Sequence, residues 1–384
     1  MPPACEPIID VIVPVHNQRE LVEACLASVL EARNQAAFEL VVIDDASTDA
    51  ALKAALARLA HDRRITLLEN ERNLGFTRSV NRGMRLHSGR DVVLLNSDTL
   101  VFGDWIDRLR RAAHACPRIG TANPLTNGSH ISGYPFRRAD GQVTFEIGDA
   151  ALDALAAEAN TARRVEVHDT VGFCIYIRRA VLDDVGLFDA EHFPVGYGEE
   201  ADFCYRTRRV GWRHVVTGDV FVRHWEGQSF GERKARLMAH MFEVFSRLHP
   251  DIGANDRDFE ARDPVRPLRE ALDLARLRRI LAGQSWLPCR EADTADATGA
   301  PGLVFDGEPG RTLLAARGWP SLPNLPAHRL PDDMAAFNRM LARLSVTQLR
   351  FEDGASLARF AALARGRAMD LGLAVELGVA KAVV

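Results

Sequence analysis

The stretch Asp10-Val11-Ile12-Val13-Pro14-Val15-His16-Asn17 decides the reading of the fold. It is short, apolar and β-branched, as in a buried strand, and it stops at a histidine and an asparagine. The same design recurs along the chain. Leu40 to Ile43 stops at Asp44-Asp45, and Asp91 to Leu95 stops at Asn96-Ser97-Asp98. Glu199-Glu200 open a helix candidate, and two short strand candidates, Arg213 to Val216 and Asp219 to Val222, lead to His224. Helical patterns fill the gaps. Leu21, Val22, Cys25, Leu26, Val29 and Leu30 form an apolar stripe at helical spacing, with Asn17 and Glu20 as a capping-box-like pair. Ser47, Thr48 and Asp49 offer caps for a helix running to Leu59. Ile65 to Leu68 reads as a strand, and Phe76 to Leu86 and Asp104 to Cys116 read as helices. Alternating strand and helix is the signature of a parallel, doubly wound sheet. Right-handed crossovers put the C-terminal strand ends on one edge, where such sheets bind ligands. Polar groups far apart in sequence are thereby expected to meet.

Bulk properties fit a soluble globular protein. The chain has 384 residues, 47% hydrophobic and 26% charged, with a net charge of −4. That charge gives no electrostatic case for nucleic acid. Two basic runs, Arg108 to Arg111 and Arg276 to Ile280, read as solvated helix faces, with docking to a membrane surface as the secondary reading. The six cysteines are scattered without a C-x-x-C pair and read as core residues, against zinc or a disulfide framework. No basic-then-apolar leader and no run long enough to cross a bilayer is seen, so a cytoplasmic setting is expected.

Each polar site carries a bland and a chemical reading. Asp44-Asp45 can accept hydrogen bonds from a base and a ribose, or can simply favour a helix N-terminus. Asn96-Ser97-Asp98 can hold a hard cation on a diphosphate, or form a turn. Glu200 can take a proton from a hydroxyl, or add favourable charge to a helix start. His224 can ligate a metal, or be a satisfied structural histidine.

Taken in order, the motifs resemble the family 2 glycosyltransferases, inverting enzymes with a GT-A fold. The resemblance spans roughly residues 8–245. It rests on D-V-I-V-P-V-H-N, L-V-V-I-D-D-A-S-T-D, N-L-G-F with N-R-G, V-V-L-L-N-S-D-T, G-L-F-D, G-Y-G-E-E-A-D-F-C-Y-R and V-R-H-W-E-G-Q-S-F. It is nearest the bacterial branch that adds rhamnosyl, galactofuranosyl or related residues to surface polysaccharides.

The resemblance implies the following roles. Pro14, His16 and Asn17 line the nucleotide pocket. Asp44 and Asp45 hold base and ribose. Asn73, Gly75, Phe76 and Asn81 stand beside the donor. Asn96, Ser97 and Asp98 occupy the place of the D-x-D motif, with Asp98 and His224 as ligands of Mg²⁺ or Mn²⁺. Glu200 is the base and Glu199 helps bind the acceptor. Two departures stand out: Asn96 replaces the first Asp of D-x-D, and Glu replaces the commoner Asp at the base position. The implied donor is a nucleoside-diphosphate sugar of UDP or dTDP type. The implied acceptor is a glycan or lipid-linked hydroxyl, reached at the inner face of the membrane by peripheral association.

Other classes fit less well. The segment P-V-H-N-Q-R-E after the first strand lacks the G-x-G-x-x-G of a dehydrogenase and the glycine-rich basic loop of a nucleotidyltransferase. The rival reading is a non-catalytic module that binds a nucleotide-sugar or glycan. The expected organisation is a GT-A domain over residues 1–250, a helix and linker over 251–300, and a small α/β unit over 301–384. That last unit reads as a packing or homodimerisation appendage, or as an incomplete second sheet opening at Phe305-Asp306-Gly307. Residues 121–165 read as an irregular loop plus a helix over the cleft, and acceptor identity is expected to rest on residues 124–165, with His130, Tyr134, Arg137 and Arg138.

Overall fold

The computed structural model describes residues 8–136, 143–225, 231–283, 285–291, 302–305, 312–315, 322, 324–325, 334–351 and 374–377. Its contacts divide the chain into two compact units, residues 1–142 with 149–265, and residues 143–148 with 266–384. The division falls at Val265 rather than at 250, and the stretch 251–300 is shared between the units.

In chain order the first unit runs β1 (Ile9–Val15), α1 (Arg19–Glu31), β2 (Phe38–Asp44), α2 (Ala50–His61), β3 (Thr66–Glu69), α3 (Phe76–Met84), β4 (Val92–Leu95) and β5 (Thr99–Leu100). It continues through α4 (Trp105–Ala113), β6 (Ile119–Thr126), α5 (Asp149–Ala159), β7 (Arg164–Val167), β8 (Cys174–Ile177) and α6 (Arg179–Val185). It closes with α7 (Glu199–Arg209), β9 (Arg213–His224), α8 (Gly231–Leu248) and α9 (Ile252–Arg262). The strand order is β3-β2-β1-β4-β8-β6-β9-β5, with β7 also on β9. β3, β2, β1 and β4 are mutually parallel, as are β6 and β9, while β8, β5 and β7 run against their neighbours. This is the mostly parallel α/β sheet the sequence predicts.

Its central strands are largely apolar because both faces are covered. Val11, Val13, Val42, Val93 and Leu95 pack with Val22, Leu26 and Val29 of α1 and with Trp105 and Leu109 of α4. The alternate residues Ile12, Val41, Ile43 and Leu94 pack with Val80 and Met84 of α3 and Val181 of α6. Successive side chains of one strand thus feed two cores, which is why the pattern reads as an unbroken run rather than an alternation.

Two local expectations change and one holds. Asn17 does not cap α1: the cap is Gln18 at φ 55°, with no side-chain bond. Asp49 does cap α2, accepting from the N–H groups of Ala51 and Leu52 at 2.9 and 3.1 Å. The basic run in α4 is not a solvated face throughout. Arg108 is 3% exposed and grips Asp153 of α5 through both terminal nitrogens, at 3.1 and 2.7 Å, while also donating to the carbonyls of Phe102 and Asp219. It ties α4, α5 and β9 together. Arg108→Met leaves Asp153 buried and unpaired, so a loss of about 3–5 kcal/mol is expected, read as a lower urea midpoint at unchanged slope. Replacing Asp153 by Leu as well should recover most of that loss. A single variant as stable as the parent would show that the pair ties nothing.

The second unit holds α10 (Arg266–Leu281), β10 (Trp286–Glu291), β11 (Gly302–Phe305), β12 (Thr312–Ala315), α11 (Met334–Arg343), β13 (Gln348–Phe351) and β14 (Ala374–Leu377). Its sheet runs β12-β11-β10-β13-β14, with only the β11–β12 pair antiparallel. β10 lies in the stretch read as linker. Arg276, the second basic run's first residue, is 1% exposed rather than solvated. It holds Glu146 in a fork at 2.8 and 2.5 Å, which ties residues 143–148 to this unit. Arg137, Arg138, Asp306, Gly307 and the helix expected near 356–363 lie outside the described residues. Among the described residues, no helix is long and apolar enough to cross a membrane.

Candidate active site

The first cluster forms where β1 and β2 end side by side, with Val15 opposite Asp44. His16 Nδ1 donates to the Asp45 carbonyl at 2.9 Å, which leaves Nε2 to accept from Asn17 Nδ2 at 3.3 Å. Asn17 sits at φ 58°, a region Asn tolerates. From there its Oδ1 accepts from the N–H groups of Thr48 and Asp49 at 2.8 and 3.2 Å. The residue read as a helix cap instead laces the two strand ends together.

Asp44 and Asp45 are buried, and both carboxylates already serve the chain. Asp44 Oδ1 accepts from Ser47 N–H at 2.9 Å. Asp45 accepts from Asn70 Nδ2 at 2.8 Å and from the N–H groups of Leu74 and Gly75 at 2.7 and 2.9 Å. Asp45 therefore shapes the Asn73–Gly75 turn, which lies against His16: Asn73 Nδ2 is 3.4 Å from His16 Nδ1. Gly75 is required there. Its φ is 83°, and a Cβ would stand 2.5 Å from the Pro194 carbonyl oxygen. Phe76 follows at the start of α3, beside Gly196. Asn81, expected near the donor, plays a different part. Its side chain donates to the Phe188 carbonyl at 2.8 Å and accepts from the Phe188 N–H at 3.1 Å.

The second cluster is set by backbone register. β5 pairs antiparallel with β9, Thr99 opposite His224, and Trp225 N–H donates to the Asp98 carbonyl at 2.9 Å. This places His224 Nε2 3.3 Å from Asp98 Oδ1. The backbone of His224 exchanges two hydrogen bonds with the Asn127 side chain, at 2.8 and 2.7 Å. Its ring stacks on Phe173, centroids 5.2 Å apart and planes 18° from parallel. Asn96 Oδ1 and His224 Nδ1 are buried without a hydrogen-bond partner among the described residues. The Asp98 and His224 atoms suit a divalent cation: neighbouring ligands on an octahedral ion with bonds of about 2.1 Å stand about 3.0 Å apart, close to the Asp98–His224 spacing. Ser97 lies between Asn96 and Asp98 in the same turn.

The acidic pair opens α7. Gly198 caps it at φ 125°, where a Cβ would meet the Phe193 ring at 2.9 Å. Glu199 is pushed well above the usual carboxylate range by burial and then by the charge of Glu200. Burial also raises Glu200, opposed by nearby backbone N–H groups. One of those, Gly172 N–H, donates to Glu200 Oε1 at 3.4 Å. Among the described residues, Oε2 of each glutamate is buried without a hydrogen-bond partner. A base with a raised pKa is a stronger base once ionised. Gly172 adjoins Phe173, so Glu200 reaches the Asp98–His224 cluster through one dipeptide.

Sequence reading missed several contributors. Phe173 and Asn127 look like a core residue and a loop residue. Asn70 and Ser47 carry no signal beyond turn propensity. Asp169 is buried and pushed up to about 8 by burial and by the charge of Glu200.

The chain is similar to several known proteins. Residues 10–186 match the family described as Glycosyl transferase family 2. The N-acetylglucosaminyl-diphospho-decaprenol L-rhamnosyltransferase of Mycobacterium tuberculosis is 28% identical over 255 residues, 61% of this chain and 81% of that protein. Glycosyltransferase AglE of Haloferax volcanii is 26% identical over 240 residues, 62% and 72% of the two chains. The uncharacterized protein y4gI of Sinorhizobium fredii is 24% identical over 60% of this chain, which spans only 26% of that protein's length. Among solved structures, the mannosyltransferase PcManGT of Pyrobaculum calidifontis, in complex with GDP-Man and Mn²⁺, aligns at a TM-score of 0.44 and 21% identity, covering 73% and 76% of the two chains. The family match and the two named glycosyltransferase relatives place the chain among glycosyltransferases. Within that class, residues 10–186 are similar to family 2.

Proposed function

We propose that this protein is an inverting glycosyltransferase that moves a sugar from a nucleoside-diphosphate sugar of UDP or dTDP type to a hydroxyl of a glycan or lipid-linked acceptor, in assembly of a bacterial surface polysaccharide. The observation that carries the reading is the 3.3 Å approach of His224 to Asp98, with Glu200 tied to the same place through Gly172 and Phe173. The printed name of the mycobacterial relative, a diphospho-decaprenol rhamnosyltransferase, supports a lipid-linked acceptor and a deoxyhexose donor.

The residues divide the work. His16, Asn17 and the Asn73–Gly75 turn border the nucleotide's seat, whose form Asp44 and Asp45 maintain. Glu200 takes the proton of the acceptor hydroxyl as that oxygen attacks the anomeric carbon, and Glu199 orients the acceptor. The C–O bond to the diphosphate breaks on the opposite face, so configuration inverts. Asp98 and His224 would hold Mg²⁺ or Mn²⁺, which when bound neutralises charge on the departing diphosphate. The site works at the inner face of the membrane by peripheral association, and the second unit serves packing or dimerisation.

The test is a panel of UDP- and dTDP-sugars with Mn²⁺, Mg²⁺ or EDTA. Nucleoside-diphosphate release should depend on the cation, and NMR of the product should show an inverted anomeric centre. Retention of configuration would overturn the mechanism. Tight donor binding without turnover, on any acceptor tried, would instead favour a binding module.

A further inference from the structure

Gly172 and Phe173 touch both halves of the site, and nothing in the sequence marks them for it. On one side the Phe173 ring lies flat against His224, and its carbonyl accepts the Asn96 N–H at 2.8 Å. On the other side Gly172 N–H donates to Glu200 Oε1, and a Cβ on Gly172 would stand 3.6 Å from Glu200 Cδ. The dipeptide is itself immobilised. Asn123 of β6, fully buried, donates to the carbonyls on either side of it, Val171 at 2.7 Å and Cys174 at 2.8 Å. Cys174 then enters β8, which lies between β4 and β6. Phe173 is 2% exposed and packed in the sheet's larger core cluster.

From these contacts we infer that Gly172-Phe173 is a rigid strut that fixes the spacing between the base Glu200 and the cation ligands His224 and Asp98, with Gly172 positioning the base and Phe173 positioning the imidazole. A ring held at one angle presents its nitrogen to the cation without an entropic cost at binding, and groups that orient ligands in this way strongly influence metal affinity. The inference rests on the transferase reading of the site.

The two halves make opposite demands on two variants of the full chain, Phe173→Leu and Gly172→Ala. Mn²⁺ binding in the presence of UDP, followed by electron paramagnetic resonance of free Mn²⁺, reads the cation half. The pH profile of kcat at saturating Mn²⁺ reads the base half. Phe173→Leu should weaken Mn²⁺ by roughly tenfold, with most of kcat returning once Mn²⁺ saturates. Gly172→Ala places a methyl at ordinary contact distance from Glu200. It should leave Mn²⁺ affinity within about twofold and, by shielding the Glu200 carboxylate from water, move the acid limb of kcat to higher pH. If Phe173→Leu fails to fold, Phe173→Met fills the same space without a flat ring and should give the same Mn²⁺ result. Equal loss of both properties in both variants would mean a general packing role and overturn the strut, as would no change in either. A parent protein that binds no Mn²⁺ with either UDP or dTDP overturns the transferase reading and the strut's cation half together. A parent that binds and transfers while both variants match it overturns the strut alone.

Discussion

Glu200→Gln should lower sugar transfer by roughly a hundredfold to ten-thousandfold, the range typical of losing a positioned general base, while leaving nucleoside-diphosphate binding unchanged. The amide is isosteric, and its oxygen still accepts the Gly172 N–H that now meets Oε1. Removing one charge from a buried acidic pair relieves repulsion, so thermal stability should hold or rise. The pH dependence follows from the same burial. Glu200 must be ionised to act, and its pKa lies above the ordinary value of 4.5. The parent's kcat should therefore decline as pH falls through a midpoint above that value, because protonation fills the site that must receive the acceptor's proton. Stopped assays from pH 4 to pH 9, with circular dichroism to confirm the fold, measure both effects. A Glu200→Gln enzyme retaining even a third of the parent rate would end the assignment of the base.

Asp98→Ala is the second large effect. It should weaken Mn²⁺ by about a hundredfold or more, beyond what loss of an orienting neighbour alone would do, and transfer should fall with it. The fold should survive, because the contact that fixes this turn to β9 is made by the Asp98 main-chain carbonyl to Trp225 N–H, which alanine keeps. Calorimetric titration of Mn²⁺ with UDP, alongside UDP without metal, separates lost cation from lost nucleotide. An unchanged Mn²⁺ constant would move the cation elsewhere. Asp10, Glu39 and His87 form another group with metal-ligand spacing, but Arg90 bridges Asp10 and Glu39 at 2.8 and 2.6 Å and supplies the positive charge itself.

The early half of the first sheet is legible in sequence because parallel strands covered on both faces leave unbroken apolar runs, and each run ends at the polar residue that matters. β6 leaves no such trace. Its residues I-G-T-A-N-P-L-T are all buried, yet Asn123 passes for a loop residue because nothing local shows that its amide will meet the carbonyls of Val171 and Cys174. β9 reads as two strands because Thr217-Gly218-Asp219 looks like a turn. In the fold Asp219 is held by Arg111 and Thr217, and Gly218 N–H reaches Arg163, so the strand runs on. Asp98, His224 and Glu200 could be chosen by residue type and place along the chain. The roles of Asn81 and Phe173 could not, since they depend on partners 107 and 51 residues away. Arg108 and Arg276 mislead for the same reason: a run of basic residues looks solvated until a distant carboxylate is seen closing over it.

The pairing of Thr99 with His224 has a consequence for how this lineage can vary. The imidazole and the carboxylate meet because two backbones are in register, not because long side chains reach for each other. Loops elsewhere can lengthen without disturbing that meeting. A single residue gained or lost within the last turns of pleat before His224 would point the imidazole to the opposite side of the sheet. Insertions and deletions among descendants of this chain should therefore be absent between 219 and 224.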